Sequence, residues 1–198
     1  MKKLNFVGIS IILLVFIVQN AYGAAHEWEL DKAHSNIYFS IDHIYAKIQG
    51  HFNEFNAKVN FDPADLQSSR FTFEIKADSI DTGIDKRDKD LQSANFFDAG
   101  KYPLITFESK SIADVGGGVY LVAGNLTVKG KTYDLTLPLK FAGIKEHPAA
   151  PGKKVIGFNG KITLDRLSLN IGDEKFYKMG IIGKDVEVLV TVEALSDK

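Results

Sequence analysis

The stretch from Ser79 to Ser109, SIDTGIDKRDKDLQSANFFDAGKYPLITFES, decides how the rest of the chain is read. On both sides of it apolar and polar residues alternate, as they do in half-buried strands. Within it the period changes. Ile84, Leu91, Phe96 and Phe97 are spaced for short helical turns among charges, and no alternation survives from Asp85 to Gly100. Asp81 or Thr82 is the expected N-terminal cap, since a side-chain oxygen there can accept an orphan backbone N–H. Tyr102-Pro103 then imposes an extended backbone, and Leu104 to Lys110 resumes as a strand. The pattern predicts a β-rich protein with one helical excursion that returns aromatic side chains toward the core.

Upstream of this stretch, Trp28, Leu30 and Asp31 lead into a first strand with Ile37, Phe39, Ile41 and His43 on one face. Ile48, Gly50 and Phe52 form a second run. Its parity then flips, so that Phe55, Ala57, Val59 and Phe61 face inward, which is what a β-bulge near Asn53-Glu54 would produce. Phe71, Phe73, Ile75 and Ala77 mark the third strand.

Downstream, Ile105 and Phe107 belong to the fourth strand. Gly116 to Gly118 makes a turn, Val119 to Val128 the fifth strand, and Lys129-Gly130 a hairpin turn. Tyr133, Leu135, Leu137, Leu139 and Phe141 alternate along the sixth, where Pro138 predicts an edge-like or bulged segment. A loop over residues 143–154 precedes the seventh strand, with Ile156, Phe158, Ile162 and Leu164 on one side. Asn170 to Gly183 reads as irregular or briefly helical. Val186 to Val192 forms the last strand.

About eight antiparallel strands, each with one apolar face, either stack as a sandwich or close into a barrel. Closure removes exposed edges, and eight strands leave room for side chains or one small ligand. Only Phe6 and Phe16 of the 14 phenylalanines fall outside this region. Rings on nearly every strand suit the wall of an elongated apolar cavity, or equally a filled core rich in phenylalanine. Pattern alone does not separate the two.

The N-terminus carries Lys2 and Lys3, an apolar run from Phe6 to Val18 and then Ala21-Tyr22-Gly23, the layout of a cleavable export signal over residues 1–23. The run is short for a bilayer span, which needs ~20 apolar residues. Residues 24–198 are then a single domain of ordinary size. No cysteine is present, which removes disulfides, thiol catalysis and lipid attachment through a cysteine. The formal net charge is −1 and becomes more acidic without Lys2 and Lys3, so nothing favours nucleic acid.

These residues together resemble the YceI-like family, periplasmic lipid- and polyisoprenoid-binding proteins of lipocalin-like fold. The resemblance runs from Trp28 to Val192. It rests on Asp31 with His34-Ser35; Gly50-His51-Phe52; Phe61-Asp62; Arg87-Asp88; Phe96-Phe97-Asp98; Tyr102-Pro103; and the turn from Gly124 to Gly130. It implies a mainly β, eight-stranded antiparallel barrel with a short helical insertion. It also implies a periplasmic, non-enzymatic carrier of a long-chain amphiphile, such as a polyprenyl lipid, an isoprenoid quinone or a fatty amide. Transient membrane contact and a dimeric state are compatible with such a carrier. Two departures stand out. Arg166 is followed by Leu167-Ser168-Leu169-Asn170 where the family often has Asp-Phe-Gly, and the loop from Glu146 to Lys153 lacks the family's tryptophan. The implied fold places both near one end of the barrel.

The expected ligand wall follows the inward parity. It comprises Ile37, Phe39, Ile41 and His43; Phe52 and Phe55; Phe71, Phe73 and Ile75; Phe107; Leu137, Leu139 and Phe141; and Phe158 and Ile162. Leu91, Phe96 and Phe97 join it from the helical excursion, the two phenylalanines as a lid. His43 reads either as a donor to a ligand or, more commonly for such a residue, as a core histidine bonded to a neighbour. His34-Ser35 is no nucleophile pair, because adjacent strand residues point to opposite faces. His34, His43 and His51 lack metal-ligand spacing. Arg87, Asp88 and Asp90 read as a solvated helix with internal ion pairs. No catalytic residue, cofactor or metal is expected.

Overall fold

The computed structural model describes residues 25–197, so the export signal expected over residues 1–23 lies outside the described residues. Eleven strand segments form one antiparallel sheet that closes on itself: β1 (Glu27–Leu30), β2 (Asn36–His43), β3 (Ala46–Phe52), β4 (Phe55–Asn60), β5 (Arg70–Lys76), β6 (Ile80–Asp81), β7 (Leu104–Asp114), β8 (Val119–Val128), β9 (Lys131–Glu146), β10 (Lys153–Asp165) and β11 (Ile182–Asp197). Three pairs of segments are single strands broken in the middle. β1 and β2 lie end to end along β11, β3 and β4 lie along them, and β5 and β6 lie along those. The result is an eight-stranded up-and-down barrel, closed where β11 meets β1 and β2. Closure settles the choice between barrel and sandwich.

Two of the breaks have a local cause, and the third, between β5 and β6, is a single tight helical turn over Ala77–Ser79. Between β3 and β4 the inward set changes from Gly50 and Phe52 to Ala57 and Val59, the expected parity flip. Between β1 and β2 the chain is pinned to β11: the Ser35 hydroxyl donates to the Glu193 carbonyl (3.1 Å), and Glu193 N–H donates back to Ser35 Oγ (3.0 Å). The region of Trp28, expected only to lead into a strand, is itself β1, and the indole donates to the Phe61 carbonyl at 3.2 Å. Pro138 sits just beyond Leu139, where the β9–β10 ladder ends, so its missing N–H leaves no gap in that ladder.

The helical excursion is α1 (Asp85–Gln92). Its N-cap is Ile84, which makes no side-chain cap bond, rather than Asp81 or Thr82. Thr82 is committed elsewhere: its N–H and hydroxyl both donate to Asp88 Oδ1, at 2.9 and 2.6 Å. Ile84, spaced as though to face inward, is exposed. A second short helix, α2 (Lys175–Lys178), interrupts the loop before β11.

The two sequence departures occupy opposite ends of β10, not one end. The loop from Glu146 to Lys153 joins β9 to β10, whereas Arg166 follows the last residue of β10. One 13-residue strand separates them.

Candidate functional site

Along the barrel axis the interior divides into two zones. At the end holding the β9–β10 turn, Phe61, Phe71, Tyr120, Phe141 and Phe158 pack ring against ring. Phe61 meets Phe158 and Tyr120 edge-on at 5.0 and 5.1 Å, and Phe71 meets Phe158 at 5.1 Å. Val59, Val122, Leu139 and Ile156 complete this zone with no exposed surface. It is a plug of rings in mutual contact, and Phe61, Phe71, Tyr120, Phe141 and Phe158 do not border the cavity beyond it.

Beyond the plug the same strands line a cavity of about 560 Å³, within the usual size of small-molecule sites. Ile37, Phe39 and Ile41 line it from β2, and Phe52 lines it from β3. Phe73 and Ile75 come from β5, Phe107 from β7, Leu137 from β9 and Ile162 from β10. Leu91, Phe96 and Phe97 reach it from α1 and the turn after it, and Phe97 stands edge-on to Phe52 at 5.9 Å. Five residues expected on the wall lie elsewhere. Phe71, Leu139, Phe141 and Phe158 belong to the plug, and Phe55, at the start of β4, packs against the core without bordering the cavity. The inward face of a strand continues through both zones, so parity assigns residues to the interior but not to a level within it.

Inward positions left out of the expected wall complete it, among them Leu126, Val128, Leu135, Leu164, Val186 and Val188. They alternate as clearly as the phenylalanines did. The polar part of the wall was harder to find. Thr82, Arg87, Asp90, Ser93, Asn95, Arg166 and His43 gather at the end away from the plug, and Asp90, Ser93, Asn95 and Phe176 bring the cavity to solvent there.

That end is assembled from loops. Gly172 N–H donates to the Asn95 carbonyl (2.9 Å), and Lys129 Nζ bridges the carbonyls of Ala94 (3.2 Å) and Asn170 (3.0 Å). Lys129 and Gly130 both adopt positive φ, 49° and 68°, as the two-residue β8–β9 turn requires. His43 lies opposite Ile182, and among the described residues its ring has no hydrogen-bond partner. It is therefore not the core histidine tied to a neighbour that the commoner reading expected.

Arg166 is the most buried charged group of the site, 4% exposed. Its Nε donates to the Gly183 carbonyl (2.8 Å), and Nη1 donates to those of Ile171 (2.9 Å) and Asp173 (3.4 Å). Nη2 is buried without a partner. Burial pushes the guanidinium below its ordinary range, and Asp173 and Asp165 partly oppose that. Arg87 donates from Nε to Thr82 Oγ1 (2.7 Å) and from Nη2 to the Thr82 carbonyl (2.8 Å). It is thus tied to a threonine and not to the helix carboxylates, contrary to the expected internal ion pairs.

His34 and Ser35 lie between β1 and β2, outside any strand, and have different partners: His34 Nδ1 pairs with Asp31 Oδ2 at 2.8 Å, and the Ser35 hydroxyl donates to the Glu193 carbonyl. Asp31, His34 and Glu193 bring potential ligand atoms within 4.8 Å of one another on the outer surface. Exposed acidic groups commonly meet in this way.

The sequence profile of the YceI-like domain matches residues 28–194. A UPF0312 protein of Vibrio cholerae is 33% identical over 165 residues, covering 83% of this chain and 85% of its own. Among solved structures, Burkholderia cenocepacia BcnA superposes with a TM-score of 0.74 at 28% identity, over 84% of this chain and 99% of that one. A polyisoprenoid-binding domain from Saccharophagus degradans shares the fold at TM-score 0.56 and 17% identity, over 84% and 97%.

Proposed function

We infer, since the chain belongs to the YceI-like domain family, that it is a binding protein which sequesters or carries a long-chain amphiphile in its barrel. The observation that carries this reading is the two-zone interior. A closed aromatic plug floors an apolar cavity of about 560 Å³, whose polar residues collect at the far, solvent-facing end. A linear hydrocarbon gains ~0.8 kcal/mol for each CH₂ removed from water, so a smooth aliphatic and aromatic wall binds chains without reading their detail. Its polar head would then lie among the groups at the solvent-facing end. A polyprenyl lipid, an isoprenoid quinone and a fatty amide all fit that description. The likeness to a fold that binds a polyisoprenoid in Saccharophagus degradans supports the first. We take the protein to be exported to the periplasm by its N-terminal segment and to act there as a carrier, not as an enzyme.

The test is organic extraction of protein purified from a native-like host, followed by mass spectrometry. A stoichiometric long-chain lipid, recovered unmodified after incubation of the refilled protein, is the expected result. Conversion of an added polyprenyl quinone to a new product would overturn the carrier reading. So would a protein that yields no lipid and takes up none.

A further inference from the structure

The cavity wall carries two guanidinium groups and no counter-charge bonded to either. Among the described residues, neither Arg87 nor Arg166 forms a salt bridge. Arg166 is held by backbone carbonyls alone, and its Nη2 is buried with no acceptor. The two carboxylates whose charge acts on Arg166, Asp173 and Asp165, each have another partner. Asp165 accepts from Lys184 Nζ at 2.9 Å, and Asp173 Oδ1 accepts the Lys175 N–H at 3.0 Å. A buried cation with no bonded counter-charge is costly, and arginine cannot shed its proton to escape that cost.

We propose that these two arginines form the head-group subsite of the cavity, and that the ligand is an amphiphile with an acidic head, a carboxylate or a phosphate, rather than a neutral one. The proposal rests on the carrier reading above and narrows it. The planar fork of a guanidinium suits either oxyanion. Loop packing fixes Arg166 before any ligand arrives, because the Gly172 backbone closes against it: a Cβ at Gly172 would fall 2.6 Å from Nη1. That preorganisation lowers the cost of binding. Asp90, on the same wall, is exposed, so its opposing charge is screened by water.

Delipidated protein is titrated with three probes of one chain length, hexadecanol, palmitic acid and hexadecyl phosphate, each displacing a neutral fluorescent naphthylamine. The expected result is that at least one anion binds about tenfold or more tighter than the alcohol. The preference should collapse in Arg166→Met and weaken in Arg87→Gln. Asp90→Asn should increase it. Palmitate and hexadecyl phosphate separate a fatty-acid ligand from a phosphorylated lipid. Equal affinity for alcohol and anions in the wild type overturns the proposal while leaving the carrier reading intact. An anion preference that survives in Arg87→Gln, and in Arg166→Met wherever that variant folds, overturns it also. Failure of all three probes to bind would instead sink the carrier reading itself.

Discussion

At the scale of single residues, the clearest electrostatic pair is His34 with Asp31. Asp31 Oδ2 accepts from His34 Nδ1, which holds the His34 ring above its ordinary value of 6.5 and Asp31 below 3.8. The raised histidine contributes stability below pH 6.5 that is lost as pH rises through its folded value. The lowered carboxylate contributes above pH 3.8 and is lost as pH falls through its folded value. The pair therefore acts fully only in the mildly acidic range between those limits, and His34 is too exposed for it to weigh much. In a proton-resolved NMR titration, His34 should titrate above 6.5 and return to the ordinary range in Asp31→Asn. An unchanged midpoint would show that Asp31 is not the cause. The Asp31–His34 pairing is local in sequence, but its meeting with Glu193 is not, and no spacing rule could have found it. The burial of Arg166 was hidden for a related reason. It follows a strand and begins an irregular loop, where periodicity says nothing about burial, and only the tertiary packing of Gly172 and Gly183 encloses it.

At the scale of elements, the strands were the most legible part of the chain, because one face of each is buried and the side-chain period is two. Even the break at Asn53-Glu54 was visible, since a parity flip has few other causes. The turns were less so. Between β2 and β3 the pairing of His43 with Ala46 leaves a two-residue turn, Ile44-Tyr45. Nothing in that dipeptide signals a tight turn, and Ile44 sits at φ 53°, a conformation unfavourable for a β-branched side chain. Tyr45 is fully exposed. Such strain costs roughly 1–3 kcal/mol and persists only where surrounding structure enforces it. Here the Ile44 N–H donates to the Ile181 carbonyl at 3.0 Å, which ties the turn to the chain just before β11 at the cavity's solvent-facing end. Ile44→Asn keeps that bond and accepts the positive φ. It should raise stability by about 1 kcal/mol, or ~2–4 °C in Tm for a domain of this size. A thermal melt of lipid-free protein that shows no gain, or a loss, would mean that the isoleucine side chain contributes more by packing than its backbone costs.

At the scale of the whole molecule, the barrel puts one continuous set of inward residues to two uses, and the sequence does not mark where one gives way to the other. Phe71 and Phe73 are neighbours on the same face of β5, yet Phe71 joins the plug and Phe73 borders the cavity. The difference is set by what crosses the barrel at each level. At the plug, Phe61 and Phe141 reach across to Phe71 and Phe158, whereas one level on, aliphatic side chains such as Leu137 and Val190 stop short of the axis. The two zones should therefore respond differently to truncation. Phe158→Ala removes a ring in contact with Phe61, Phe71 and Phe141, and the closed plug cannot refill the space. It should cost about 3–5 kcal/mol in urea denaturation of the lipid-free protein. If the plug is only a floor, the chain lengths bound should stay the same. Phe73→Leu should cost less than about 1.5 kcal/mol, since the side chain remains apolar and borders existing space. It should shift the preferred chain length, because it widens the tunnel that the chain fills. The discriminating measurement is the chain-length profile of bound alcohols or acids in the two variants. A shift in Phe158→Ala with none in Phe73→Leu would mean that the ligand tail penetrates the plug, and that the floor of the cavity opens when the barrel is occupied.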